Sequence, residues 1–353
     1  MKFSHWICAA LALAGSACAR EQPEAWDGPV LTETRSALTV SDLQAEDVAE
    51  LIDMSFFARP AWAGEAAPFA GTITFAEAPM VWTGRQREAY EGEETFPTFT
   101  IGLVASDGVL IPSTRRKIET RETSTSFWDV FVGAGAVWKE EGDDGWSRAS
   151  FPLSLVSRYI GQTRNCVGTF VYRDTAISNV AIQCSQEIAS LEAGDLANIR
   201  AMVPVTYAPG GIDAAAIIAA HEQFVANRLP VAPLSEIDRR GAIAGFFDTP
   251  VWTNAATTWG AVLIDGTLYQ NPPQTRHGPY PYPDEIRLGV YSVSKSMTGA
   301  LALFYFAERY GEDIFDEKIT DWVPQLAATE DWQGVTFSHA LNMVTGTPVG
   351  EGA

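Results

Sequence analysis

Between residues 71 and 205 the chain consists of short apolar runs separated by turn residues, and this pattern constrains its fold more than any other feature. The runs have the length of strands and are rich in Phe, Val, Ile and Thr, residues that pack well on a pleated sheet. One run, at 98–113, is divided by Asp107-Gly108, a dipeptide that favours the tight turn of a β-hairpin. The pattern predicts a β-rich N-terminal domain over residues 41–206.

Two cysteines, Cys166 and Cys184, flank the segment "VGTFVYRDTAISNVAIQ", which holds two strand-like runs around a polar turn centred near Thr175. A hairpin of this kind brings its two ends together. In an oxidising compartment we expect the two thiols to form a cross-strand disulfide, with two separate buried thiols as the alternative. Neither C-x-x-C nor a Cys/His spacing points to a metal site.

The N-terminus, residues 1–19, reads "MKFSHWICAALALAGSACA": a basic start, an apolar stretch and a small-residue end. This is the layout of a secretory signal peptide, and it is too short for a permanent membrane anchor. We therefore expect a periplasmic or secreted protein in which residues 20–40 form a polar linker. The alternative is a lipoprotein signal in which Cys18 is acylated and holds the protein on a membrane. No later stretch is long and apolar enough to predict a transmembrane segment.

The net charge is -20, from 44 acidic and 24 basic residues, and the longest basic run is the short "TRRK" at 114–117. Nucleic-acid binding requires a basic face, so this class of partner is disfavoured.

The second half of the chain mixes helical and strand-like patterns. The segment "APGGIDAAAIIAAHEQFVANRLP" predicts a helix from about 212 to 229, with a Gly-Gly break before it and a Pro after it. Asp265-Gly266 marks a second tight hairpin. We place the domain boundary between residues 206 and 207, so that 207–353 form the second domain of an α+β protein.

Several common hydrolase designs have no motif in this chain. There is neither a G-x-S-x-G nor an H-E-x-x-H sequence, and after the signal only His221, His277 and His339 remain. A Ser-His-Asp hydrolase therefore has no motif to support it. His221 and His339 lie in helical patterns, where a packed or surface role is the simpler interpretation.

A different pair of residues carries the chemical hypothesis. In "VYSVSKSMTGALALFYFAERYG", residues 290–311, Ser292 stands three residues before Lys295. In a helix this spacing allows the serine Oγ and the lysine Nζ to meet. A serine hydroxyl becomes a good nucleophile when a base takes its proton, and a neutral lysine is such a base. The alternative is a polar helix start with a solvated lysine.

Two observations favour the catalytic interpretation. Only five of the 24 basic residues are Lys, and Lys, unlike Arg, can lose its proton near neutral pH. The helix is also apolar around this pair, and we expect burial on more than one of its faces, through Met297, Ala300, Leu301, Phe304 and Phe306.

Four segments in order resemble the first part of the penicillin-recognising serine hydrolases. These are "WGAVLIDGTLYQ", "YSVSKSMTGALALFYFAERYG", "DIFDEKITDWVPQL" and "GVTFSHALNMVTGT", within about 212–349. The likeness is greatest to the broad β-lactamase-related group, which includes class C β-lactamases, D-amino-acid peptidases and esterases. It implies that 207–353 is the first part of a β-lactamase-like domain, an antiparallel sheet with flanking helices.

The resemblance implies a role for each matching residue. Ser292 corresponds to the nucleophile that forms an acyl-enzyme, and Lys295 to the lysine that activates it. The backbone N–H of Ser292 corresponds to one oxyanion-hole donor. The expected substrate is a small molecule, peptide or ester with an ester, amide or β-lactam carbonyl, and no metal or organic cofactor is required.

The family also uses a Tyr-x-Asn or Tyr-x-Ser element and a late-strand Lys-Thr-Gly or His-x-Gly motif, both beyond the point where this sequence ends in "TPVGEGA". We therefore expect a C-terminally truncated hydrolase domain that is inactive as this chain. A second hypothesis is an exported β-rich binding or envelope protein whose hydrolase-like part is vestigial, because the resemblance does not account for the N-terminal domain.

Overall fold

A computed structural model describes residues 31, 35–47, 50–85, 88–159, 161–185, 197–247, 258–290 and 292–346. These residues form a mixed α+β structure that divides into two compact units, Met1–Leu288 and Gly289–Ala353. The strands of the larger unit are β1 (Ala70–Phe75), β2 (Ala78–Pro79), β3 (Val81–Thr83), β4 (Thr95–Phe96), β5 (Phe99–Ser106), β6 (Val109–Pro112), β7 (Trp128–Val132), β8 (Gly135–Lys139), β9 (Ser147–Ser157), β10 (Thr163–Arg173), β11 (Ala176–Ile177), β12 (Val180–Ser185), β13 (Asn198–Val203), β14 (Val205–Pro209), β15 (Val231–Pro233), β16 (Ala261–Ile264), β17 (Thr267–Gln270), β18 (Gln274–Thr275) and β19 (Gly278–Pro279). Its helices are α1 (Val40–Gln44), α2 (Ala214–Ala226) and α3 (Ala242–Phe247); the smaller unit contains α4 (Val293–Tyr310), α5 (Ile319–Trp322) and α6 (Phe337–Leu341).

Twelve strands of the larger unit form one antiparallel sheet. Its order is β14-β1-β5-β6-β8-β9-β10-β12-β13-β3, with β7 paired to β9 and β11 paired to β10. The predicted hairpin between β5 and β6 is confirmed: Asp107 and Gly108 form its turn with φ of 50° and 78°. Asp265 and Gly266 likewise join β16 to β17 with φ of 47° and 79°. Positive φ at both central residues is what these two-residue turns require, and Gly accepts it without strain.

The large sheet is strongly curved. Phe75 in β1 and Phe151 in β9 are four strand positions apart, which in a flat sheet is about 19 Å. Their ring centroids are only 6.2 Å apart. The sheet therefore bends around one apolar core, to which most of its strands contribute buried side chains.

The outer face of β10 is covered by residues 35–47 and 50–57. Successive residues of a strand point to opposite faces, so Phe170 lies in the main core while Val171 belongs to a second apolar cluster. That cluster is completed by Leu43 of α1 and by Phe57, both fully buried. Both faces of β10 are consequently buried, and the described end of the predicted linker, from Arg35, packs on the β-rich unit.

The predicted disulfide is confirmed. Cys166 in β10 lies directly opposite Cys184 in β12, and the two sulfur atoms are bonded within the main core. The strands are joined through the turn at Asp174 and Thr175, as the sequence pattern predicts.

Three further predictions concern the domain boundary, the signal peptide and transmembrane segments. The predicted boundary between residues 206 and 207 lies inside β14, which pairs with β1 along five residue pairs, and it stays a prediction. The predicted signal peptide at 1–19, including Cys18, lies outside the described residues. Among the helices that the structure describes, none is long and apolar enough to cross a membrane.

The smaller unit is built on α4. This helix ends at Gly311, whose φ of 106° is strained for any residue with a side chain. The chain returns through the short helix α5 to α6, and an isolated antiparallel bridge joins Lys318 to Thr336. Leu303 and Ile319 are among the few apolar side chains buried in this unit.

Candidate active site

Ser292 is the N-cap residue of α4, and Lys295 lies in its first turn. Ser292 has φ of -69° and ψ of -10°, so the backbone is already helical there, and the amide of Lys295 donates to the carbonyl oxygen of Ser292 at 3.0 Å. The helix continues for 18 residues through a sequence rich in Ala and Leu, which favour helix formation. The fold therefore fixes the spacing of the two side chains.

The two functional atoms are in contact. Nζ of Lys295 donates a hydrogen bond to Oγ of Ser292 across 3.2 Å. Oγ of Ser292 makes no side-chain capping bond to the helix backbone, so its contact with Lys295 does not compete with a capping role. Both side chains are exposed to solvent. The arrangement brings a hydroxyl and its prospective base within hydrogen-bonding distance, as the spacing predicts.

A hydrogen-bond donor lies beside the hydroxyl. The backbone N–H of Ser292 has no acceptor among the residues that the structure describes. The first amides of a helix lack partners within the helix and carry partial positive charge. Negative charge that develops on the carbonyl oxygen of a substrate attacked by Ser292 Oγ would therefore meet a suitably charged environment.

The pair lies at one end of an apolar groove between α4 and α6, with a volume of about 440 Å³. The residues of α4 that line it recur every three or four positions, so they share one face of the helix. Its lining consists of Ser292, Lys295, Ser296, Gly299, Ala302, Leu303, Phe306, Phe337, Ala340, Leu341 and Met343. At Gly299 a Cβ atom would meet no heavy atom within 4 Å, so the groove is open at mid-helix.

One expectation about this helix is wrong. Burial was expected on several faces of α4, yet Met297 is 54% exposed, Leu301 67% and Phe304 55%. The helix packs against α6 and against the short 3-10 helix at Glu312–Asp316, which together cover only part of its circumference. Helical periodicity reports how apolar a face is, and it does not report whether another element covers that face.

The histidines have local structural contacts. In α6, Nδ1 of His339 accepts from the N–H of Thr336 at 3.2 Å, while the hydroxyl of Thr336 accepts from the N–H of His339, which is a capping box. In α2, Nδ1 of His221 is 3.1 Å from Nη2 of Arg115. Burial and the charge of Arg115 lower the pKa of His221, so this ring is neutral and accepts a hydrogen bond from the guanidinium.

The groove between α4 and α6 was not predicted from the sequence. The periodic series Ser292, Ser296, Gly299, Leu303 and Phe306 could have predicted one wall, but nothing local predicts that α6 forms the other. Within the described ranges, no cluster of three or more His, Cys, Asp or Glu side chains is arranged to hold a metal ion. The disulfide belongs to the larger unit and takes no part in this site.

Comparison with known proteins gives no match: no family model, curated protein or solved structure is similar to this chain.

Proposed function

We propose that this protein is a serine hydrolase that acts on an ester, amide or β-lactam carbonyl through an acyl-serine intermediate. The observation that carries the proposal is the 3.2 Å contact between Lys295 Nζ and Ser292 Oγ at the start of α4. The N–H of Ser292, which has no acceptor within the described ranges, and the adjoining apolar groove support it, because they offer an oxyanion donor and a place for the substrate.

The reaction has two stages. Neutral Lys295 takes the proton from Ser292 Oγ while that oxygen bonds to the carbonyl carbon, and the N–H of Ser292 stabilises the oxyanion. Collapse of the tetrahedral intermediate breaks the bond to the leaving group, which receives the proton from Lys295. A water molecule then attacks the acyl-serine and releases the acid, with Lys295 again accepting and returning a proton.

The groove narrows the substrate class within this proposal. Its walls are formed by aliphatic and aromatic side chains, among them Leu303, Phe306 and Leu341, with the polar groups gathered at the end that holds Ser292. An apolar acyl group would gain free energy by leaving water there, at about 25 cal/mol per Å². It would also displace water from the Ser292–Lys295 pair.

We further propose membership of the β-lactamase-related group and an exported location. The four ordered segments around Ser292 support the first. A disulfide supports the second, since such bonds form and persist in oxidising compartments.

The test is covalent labelling of the full-length protein with a fluorophosphonate and, separately, with a fluorescent penicillin. We expect labelling of the wild type, because a single covalent reaction of Ser292 Oγ does not require turnover, and none of Ser292→Ala. Ser296→Ala is the matched control, because Ser296 lines the same groove one turn further along α4. Equal labelling of wild type and Ser292→Ala would exclude Ser292 as the nucleophile.

A second candidate function is that of an exported β-rich binding or envelope protein in which the hydrolase-like part does not turn over substrate. The observation that favours it is the solvent exposure of both Ser292 and Lys295, since acyl-transfer sites usually exclude water. Absence of labelling by both probes in the folded wild type, with circular dichroism unchanged in Ser292→Ala, would support this candidate.

A further inference from the structure

A groove of about 590 Å³ lies at one end of the large sheet, well away in sequence from the proposed nucleophile. Three loops form it: residues 88–94 before β4, residues 119–127 before β7, and Arg158 and Tyr159 directly after β9. A rigid sheet that presents a concave surface on its loops is a common arrangement for ligand binding.

Three aromatic rings run along this groove. Tyr90 stacks on Phe127 with ring centroids 5.6 Å apart and an angle of 2° between the planes. The ring of Tyr159 is tilted by 49° relative to that of Phe127, and the two ring centroids are 5.4 Å apart. Phe127 is buried and packs edge-on against Trp128 of the core, so the position of its ring is fixed by the core. Tyr159 is 68% exposed and Tyr90 38% exposed. The ring of Tyr159 is therefore accessible to a ligand.

Two charged side chains of opposite sign border the rings without a partner. Arg121 and Glu91 are exposed, and neither makes a hydrogen bond or ion pair within the described part of the chain. Arg158, by contrast, is fixed by Asp129 at 3.1 Å. The groove therefore offers a ligand one hydrogen-bond donor, the guanidinium of Arg121, and one acceptor, the carboxylate of Glu91.

The loop that carries Arg121 is held in place. The carboxylate of Glu77 accepts from the hydroxyl of Ser124 at 2.6 Å and from the N–H of Thr125 at 2.7 Å. These bonds, that of Ser124 first, lower the pKa of Glu77 and keep it charged near neutral pH. A loop fixed in this way loses less conformational entropy when a ligand binds.

We propose that this groove binds a neutral saccharide. The electropositive C–H face of a pyranose ring packs on the negative face of an aromatic ring, for which the exposed ring of Tyr159 is placed. Sugar hydroxyls both donate and accept, so one ligand satisfies Glu91 and Arg121 together. The net charge of -20 disfavours polyanionic glycans at long range. This site does not depend on the proposed hydrolase activity.

The test is native affinity electrophoresis of the full-length protein in gels that contain hydroxyethyl cellulose, galactomannan, dextran or polygalacturonate. We expect at least one of the three neutral polymers to retard the wild type. Tyr159→Ala should weaken that binding about tenfold, whereas Tyr159→Trp, which keeps a ring face, should retain it. Tyr310→Ala is the matched control, since Tyr310 is 69% exposed and belongs to the smaller unit.

Each outcome decides the proposal. Retardation by a neutral polymer that is lost in Tyr159→Ala and weakened in both Arg121→Ala and Glu91→Gln supports it. Retardation by polygalacturonate alone, by no polymer, or equally in wild type and Tyr159→Ala overturns it.

Discussion

Lys295 Nζ donates a hydrogen bond to Ser292 Oγ across 3.2 Å, from one turn further along the same helix. A contact at this spacing is maintained by the backbone of α4 and does not require long-range packing. The pair therefore forms wherever the helix forms, and its reactivity depends on what surrounds it.

Replacement of Lys295 should separate its chemical role from its packing role. We expect Lys295→Met to slow fluorophosphonate labelling by about 10²- to 10⁴-fold, the usual contribution of a general base. Lys295→Arg should be equally slow, because the guanidinium stays protonated. The measurement is the second-order rate constant of labelling. Lys318→Met, which changes the other lysine of the smaller unit, should label at the wild-type rate.

Substitutions of Gly299 test whether the acyl group of the substrate enters the groove between α4 and α6. Because a Cβ atom there meets open space, Gly299→Ala should stabilise α4 by about 0.5–1 kcal/mol, seen as slower amide hydrogen exchange in this helix. Gly299→Leu places a branched side chain in the groove and should slow labelling by a long-chain alkyl phosphonate at least tenfold, with little effect on a methyl phosphonate. Equal rates with both probes would show that the acyl group does not enter this groove.

Features encoded by adjacent residues were predictable from the sequence. The turns at Asp107-Gly108 and Asp265-Gly266 need positive φ, and the hairpin between Cys166 and Cys184 follows from two runs around one turn. The predicted helix from about 212 to 229 is present as α2, over Ala214–Ala226, with Asp213 as its N-cap. In each case the information is local.

The central strand β9 is not predictable as an apolar run, because its sequence, "SRASFPLSLVS", contains polar residues and a proline. Proline argues against a central strand, and a buried Arg148 argues against any strand. The structure accommodates Arg148 through the carboxylate of Asp143 at 2.6 Å, and the hydroxyl of Ser154 through Asn165 at 3.0 Å. Asp143 lies outside the strand, five residues before Arg148, and Asn165 lies on the neighbouring strand β10, so the sequence of β9 itself reveals neither partner.

Long-range pairing was not predictable either. Strand β14 pairs with β1, and β13 with β3, across more than 100 residues of chain. Nothing in either strand specifies its partner beyond an apolar face. The same holds for the aromatic groove, whose rings come from three separate loops.

Removal of the disulfide should lower stability without changing the fold. The two cysteines are 18 residues apart, so the chain-entropy model assigns the bond about 2–4 kcal/mol. We expect the double variant Cys166→Ala/Cys184→Ala to lose that much free energy of unfolding in urea. Dithiothreitol should lower the urea midpoint of the wild type, because it reduces the disulfide when the chain unfolds. The midpoint of the double variant should not change with dithiothreitol. Identical urea midpoints for the two proteins would contradict the stabilising role.

The stability of the larger unit should fall in acid because of the paired carboxylate of Glu140. Burial alone raises the pKa of Glu140, but bonds from Arg35 and Trp138 outweigh it and hold that pKa below its usual value of 4.5. A carboxyl whose pKa is lowered by folding stabilises the folded state above the unfolded pKa, and the benefit disappears as pH falls through the folded pKa. We therefore expect the free energy of unfolding to decline below about pH 4.5.

Glu140→Gln should be less stable at pH 7 and show a flatter decline, whereas Glu119→Gln, which alters an exposed carboxyl, should follow the wild type. Parallel profiles for Glu140→Gln and wild type, measured by urea unfolding from pH 7 to pH 3, would exclude Glu140 as a source of the acid sensitivity.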